Sequence, residues 1–164
     1  MSAITSRVSL RPIETGDLET FFLHQLDPEA VRMVGFRSRD RAAFFAHWTN
    51  NVLGNATATN RTILYDQSIA GNIGTWTDAT TQERLIGYWL GREFWGRGVA
   101  SAAVRQFLEA ELTRPLTARV VPHNRGSIRV LEKTGFVRKG EESLTLPDGS
   151  LHEEFVYVLS AKNS

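Results

Sequence analysis

The chain has 164 residues, 41% of them apolar and 23% charged, which suits one folded domain over residues 1–164 and excludes a disordered chain. Nineteen Lys and Arg against eighteen Asp and Glu leave a net charge of +1 with no basic run, so a nucleic-acid partner is not expected. The absence of cysteine excludes disulfides, thiolate metal sites and cysteine nucleophiles together, and no metal is expected.

Residues 1–10 lack the apolar stretch of a secretory signal, and no window reaches the ~20 apolar residues of a membrane span. A cytoplasmic protein with no membrane association is the expectation. Residues 7–12 (RVSLRP) alternate and predict a first strand, closed by Pro12. Thr15-Gly16-Asp17 then opens a helix with Leu18, Phe21, Phe22 and Leu26 on one stripe, and Asp27-Pro28 ends it. Ser38 is the candidate cap of a second helix, whose face carries Phe44, Phe45, Trp48 and Val52 and which Gly54 stops. An aromatic on this helix is free to meet a second copy, so a homodimer stays open. Residues 50–60 are polar and read as loop.

From residue 61 the apolar period changes to two. Residues 61–65, 68–77 and 83–90 predict three strands joined by short polar turns such as Asp66-Gln67. A glycine-rich stretch over residues 91–98 leads into a helix over 99–112, with Val104, Phe107, Leu108 and Leu112 on one side. Residues 116–121 predict a strand, 127–134 a helix stopped by Gly135, and 136 onward a strand. The turn Leu146-Pro147-Asp148-Gly149 and a last strand over 152–159 complete the chain. This order describes an α/β (α+β) domain on a single mixed, mostly antiparallel twisted sheet flanked by helices.

The chemistry concentrates in residues 87–100, where a strand runs into a glycine-rich turn and a helix begins at once. Gly96 and Gly98 let the backbone turn tightly, and the free N–H groups and dipole of the following helix favour a phosphate. Arg97 and Arg92 can add charge at the rim. A Walker A loop fails because Gly96 is followed by Arg97-Gly98. A dinucleotide fingerprint fails because Ser101 stands where a third glycine is needed and Ala118 where an acid is needed.

Trp95-Gly96-Arg97-Gly98-Val99-Ala100 resembles the acetyl-CoA pyrophosphate loop of the GNAT superfamily, [Arg/Gln]-x-x-Gly-x-[Gly/Ala]. Trp95 departs from its first position, as in the branch related to ribosomal-protein N-terminal (alanine/serine) acetyltransferases. A second segment, Asn124-Arg125-Gly126-Ser127 through Glu132-Lys133-Thr134-Gly135-Phe136, resembles that family's N-x-x-S-x-x-[VL]-L-E-K-x-G-F pattern. The resemblance implies a GNAT fold and acetyl-CoA as cosubstrate, held by Leu90, Trp95, Gly96, Arg97, Gly98, Val99, Ala100, Asn124 and Ser127. It also implies direct transfer of an acetyl group to a primary amine, either a protein N-terminus or a small molecule.

Such a transfer needs a neutral amine, a polarised carbonyl and a proton for the departing thiolate. Ser127 is the first candidate for the last role and Tyr88 the second. Ser127 equally suits a plain helix cap, and Tyr88 core packing. The branch often places Glu where this chain has Leu85, so Glu83, acting through a water, becomes the candidate base. His123, Glu153 and Glu154 are further possibilities. The family's acceptor pocket maps onto the loop near residues 34–37 and the terminal hairpin, making Phe36, Arg37, Trp76 and Trp89 candidate substrate contacts. Leu85 also leaves room for a different class, a non-catalytic acyl-CoA-binding module.

Overall fold

The computed structural model describes residues 3–35 and 38–161. Its strands are β1 (Val8–Pro12), β2 (Thr59–Tyr65), β3 (Ser68–Thr77), β4 (Arg84–Leu90), β5 (Leu116–Val120), β6 (Val137–Thr145) and β7 (Leu151–Leu159). They form one sheet in the order β1-β2-β3-β4-β5-β7-β6. Every neighbouring pair is antiparallel except β4 with β5, which is parallel, so the sheet is mixed as expected. The Asp66-Gln67 turn joins β2 to β3 with φ of 49° and 69°. Two positive φ values in a two-residue loop match the twist of the strands they connect.

Among the described residues, six α-helices flank this sheet: α1 (Ala3–Arg7), α2 (Asp17–Leu26), α3 (Pro28–Val34), α4 (Arg41–His47), α5 (Val99–Ala110) and α6 (Arg125–Lys133). Two of them, α1 and α3, were not expected. Asp27 ends α2 and also starts α3: its side chain accepts from the Glu29 N–H, with Pro28 in the first turn. Asp40, not Ser38, caps α4. The chain then continues as a π-helical turn over Trp48–Val52 rather than entering a loop at residue 50. Helix α5 stops at Ala110, which leaves Leu112 exposed instead of on the apolar face. Its capping residue Glu111 is turned aside to Arg84, at 3.0 Å.

Each face of the sheet has its own apolar cluster. One buries Ile63, Ile73, Val99, Ala102, Ala103, Val104, Phe107 and Leu131, joining β2 and β3 to α5 and α6. The other buries Leu18, Phe21, Phe22 and Phe44, with Phe45 and Trp48 packed against it. The aromatics of α4 are therefore taken up inside the protomer. Alanines at 102 and 103 let α5 lie close on the sheet.

The parallel pair decides the rest. β4 and β5 are in register only at Leu85 and Thr117, and beyond that point they part. On its other side β4 stays paired with β3 up to Leu90, and Gly91 donates to Ala70 O at 2.9 Å. Ladder alternation then turns the N–H and C=O of Tyr88 and Leu90 away from β3 and into the gap.

Asp17 fastens the opposite end of the sheet. It is 2% exposed and takes Arg11 Nη1 at 2.7 Å, Thr62 Oγ1 at 2.6 Å and the Glu14 N–H at 2.9 Å. Burial alone would push this carboxyl up, but the bonds from Arg11, Thr62 and Glu14 outweigh it and hold the group at about 2. A depressed carboxyl stabilises the fold above its unfolded value, and the contribution fades as pH falls through the folded one. Asp17→Asn should therefore cost about 2–3 kcal/mol in urea unfolding at pH 7. The gap to wild type should close as pH drops from about 4 to about 2. A gap independent of pH would show that packing, not charge, is lost.

Candidate active site

Where β4 leaves β5 there is a cleft of about 370 Å³. Its walls are the end of β4 (Tyr88, Trp89, Leu90), the turn and first residues of α5 (Phe94 to Ser101, without Arg97), α6 with its cap, and α3. The glycine-rich segment begins with a 3-10 turn, Arg92–Phe94, and ends at Gly98. Gly96 and Gly98 have φ of +71° and +80°, a region that other residues enter only with strain. Nothing lies within 4 Å of where a Gly96 side chain would stand, so the space before the loop is open. Helix α5 has no side-chain cap. Among the described residues, no acceptor takes the N–H groups from Gly96 to Ser101. They form a nest of unpartnered amides at the start of a three-turn helix.

Trp95 sits beneath this nest. Its indole Nε1–H donates to Leu90 O at 3.1 Å, tying the loop to the strand end. The departure at the first motif position thus supplies a brace rather than a charge. Arg97 is exposed and outside the lining, and Arg92 pairs with Asp27 at 3.5 Å, so neither meets the expectation of a cleft cation.

At the other end Tyr88 Oη and Ser127 Oγ lie 2.7 Å apart. Tyr88 Oη also lies 3.3 Å from Ser127 O, where it can donate. Asn124, not Ser127, caps α6: its Oδ1 accepts from the Ser127 N–H at 3.2 Å. Asn124 stands past the end of β5, in the turn before α6, rather than on a strand. With the capping role filled by Asn124, the serine hydroxyl turns to the site. Burial raises the Tyr88 phenol to about 12, and the Ser127 bond opposes this without reversing it. Tyr88 is therefore a proton donor at every physiological pH.

The other candidates are brought elsewhere. Glu83 is outside the lining and pairs with Arg119 Nη2 at 3.0 Å, while accepting from Thr81 Oγ1 at 3.2 Å. Five residues of extended chain, about 17 Å, separate it from Tyr88. Its expected role as base does not fit this placement. Trp76 is 37% exposed and lies over Gly87 outside the cleft, whereas Trp89 lines it. His123 Nε2 donates to Arg32 O at 2.7 Å and holds α3 in place. Glu154 lies 3.3 Å from His152. Phe36 and Arg37 lie outside the described residues.

Sequence reading missed Ala30 and Met33 of α3, and Ser101, Arg129, Val130 and Lys133. The Asp27-Pro28-Glu29 start was a legible signal for α3. That α3 folds over this gap was not.

A single sheet parted at its parallel pair, with a backbone nest on one side and a hydroxyl pair on the other, defines a class of acyl-transfer fold. The chain matches the Acetyltransferase (GNAT) domain family over residues 7–137 and belongs to it. It is 27% identical over 146 residues to "Uncharacterized N-acetyltransferase p20" of Bacillus licheniformis, covering 83% of this chain and 82% of that protein. Its fold is similar to that of spermidine N-acetyltransferase from Vibrio cholerae, solved with CoA and spermine. The TM-score is 0.78 at 15% identity, over 94% of this chain and 96% of that one. It is also similar to ribosomal-protein-S5-alanine acetyltransferase from Vibrio fischeri, with TM-score 0.73, 21% identity and coverage of 94% and 93%. Among the described residues, no helix is long and apolar enough to cross a membrane.

The burial of Tyr88 is open to measurement. A difference titration at 295 nm between wild type and Tyr88→Phe should contain no phenolate signal below about pH 11. A signal centred near pH 10 would mean that solvent reaches the hydroxyl.

Proposed function

We propose that the chain transfers the acetyl group of acetyl-CoA directly to a primary amine, and that the preferred acceptor is a protein N-terminus. The observation that carries this is the convergence of two features on one cleft: unpartnered amides from Gly96 to Ser101, and the Tyr88–Ser127 hydroxyl pair. The amides, with Leu90, Trp95, Val99, Ala100 and Asn124 around them, suit a diphosphate and the arm attached to it. Acetyl-CoA supplies the activated acyl carbon. The free N–H groups of Tyr88 and Leu90 are aimed into the gap where a thioester carbonyl needs donors. Tyr88 holds a proton that a departing thiolate can take, Ser127 can donate to Tyr88 Oη as that proton leaves, and the proton lost by the attacking nitrogen passes to solvent, from which Tyr88 is reprotonated.

The acceptor follows from what the cleft lacks. Among the described lining residues there is no carboxylate and no histidine. A free alkylamine, with a pKa of about 10.4, would arrive almost wholly protonated, whereas an α-amino group at about 7.7–8.0 is substantially neutral near pH 7.5. A site without a base therefore favours an N-terminus over a polyamine. Apolar Ala30, Met33 and Val34 at the α3 wall, with Trp89 opposite, suit a small first side chain. A small-molecule amine of low pKa is the second reading.

Thiol release from acetyl-CoA should be stimulated by peptides beginning with Ala or Ser well above a no-acceptor control, and much less by spermidine. CoA binding without release for any amine would replace the enzyme with an acyl-CoA-sensing module.

Two sets of variants divide the cleft. Gly98→Val places a β-branched residue at φ +80°, a strain of about 1–2 kcal/mol that the loop relieves by turning its amides away. The KM for acetyl-CoA should rise about tenfold or more with the fold intact, and an unchanged KM would refute the phosphate loop. Tyr88→Phe should lower kcat about 10²-fold, and Ser127→Ala about tenfold, with the KM for acetyl-CoA nearly unchanged. Normal kcat in both would reduce the pair to packing.

A further inference from the structure

About half of the described arginines are paired with a carboxylate. Arg7, Arg11, Arg41, Arg84, Arg119 and Arg138 each hold a carboxylate. Helix α6 is different. Arg125, Arg129 and Lys133 recur at four-residue spacing and so form one stripe of like charge. Among the described residues none of the three is paired with a carboxylate. The one acid on the helix, Glu132, is turned aside to accept from Tyr157 Oη at 3.1 Å. Unscreened like charges one turn apart are unfavourable in the free protein, and an anion laid along them would relieve this.

Two members of the stripe, Arg129 and Lys133, line the cleft. Ser127, on the same helix, meets Tyr88 at the opposite end, and Lys133 lies about 9 Å further along the axis. The helix thus gives the cleft a direction: hydroxyls where the acyl group reacts, then cations. The loop amides, which line the same cleft, carry dipoles but no formal charge. A coenzyme A molecule lying in this sense puts its diphosphate at the amides and leaves one anionic group unaccounted for, the 3′-phosphate on its ribose.

We propose that Arg129 and Lys133 form a 3′-phosphate-reading site that selects coenzyme A over its 3′-dephospho form. Lys133 is the far cation and Arg129 the nearer one, whose planar fork suits the oxygens of a phosphate. This rests on the acetyl-CoA reading above. It adds that affinity comes in part from side-chain charge at the nucleotide end, a contribution independent of the acceptor and of the chemical step.

The test is calorimetric binding of CoA and 3′-dephospho-CoA to the full chain, wild type and R129Q/K133Q, with no acceptor present. Wild type should bind CoA at least about tenfold more tightly, and added salt should narrow the difference. In the double variant the ratio should fall to about threefold or less while the Kd for 3′-dephospho-CoA stays within about twofold of wild type. The retained dephospho-CoA affinity also reports that the variant is folded. Equal binding of both ligands by wild type would overturn the inference and leave the acetyltransferase reading intact. Equal weakening of both ligands in the variant would overturn it too, by placing the two residues on the diphosphate or in the fold. Failure of wild type to bind either ligand would sink the acetyl-CoA reading and this inference with it.

Discussion

The parting of β4 from β5 after a single register, Leu85 opposite Thr117, is the constraint on which the site depends. Parallel neighbours normally satisfy each other's backbone groups along their shared length. Here β4 is held by β3 to its last residue, while β5 is held by β7 across five pairs. Each strand answers to its outer partner, and the gap between them opens as the sheet twists. The N–H groups of Tyr88 and Leu90 turned into that gap are costly unless something fills it. Helix α5 begins beside the gap with further unpartnered amides, and α3 spans it from the other face of the sheet. The fold thus concentrates unsatisfied donors in one place.

The same opening sets the protonation chemistry. Tyr88 alternates onto the face that carries α5 and α6, packs against the larger core and reaches Ser127. Burial keeps its proton in place, so the site holds a protonated phenol and, among the described lining residues, no carboxylate or histidine. The acid one would want nearby, Glu83, is bound into a surface network in which Arg119 also holds Glu142 at 3.0 Å. Charge has been spent on joining β4, β5 and β6 rather than on catalysis. On the proposed acetyl-transfer reading, this division makes the ionisation of the acceptor itself a determinant of which amines would be used.

Segments governed by local backbone physics were legible in the sequence. The strand over residues 68–77, the Asp66-Gln67 turn, and the start of α5 at Val99 rest on period-two apolar spacing, turn chemistry and glycines at positive φ. The two motifs around Gly98 and Ser127 were legible through their resemblance to segments of the GNAT family. Errors arose where one residue serves two elements. Asp27 looked like the end of a helix and is also the cap of the next, and Asn124 looked like a strand end and is the cap of α6.

The sequence by itself determined the pieces: the elements, the glycine turn before α5 and the helix that carries Ser127, because each depends on residues within a few positions of one another. Only the tertiary structure decided that Tyr88 meets Ser127 across 39 positions, that Arg119 removes Glu83 from the cleft, and that α3 supplies a wall. Those outcomes follow from which strands pair and where the pairing stops. That is a balance of contacts far apart in the chain, and no local pattern encodes it.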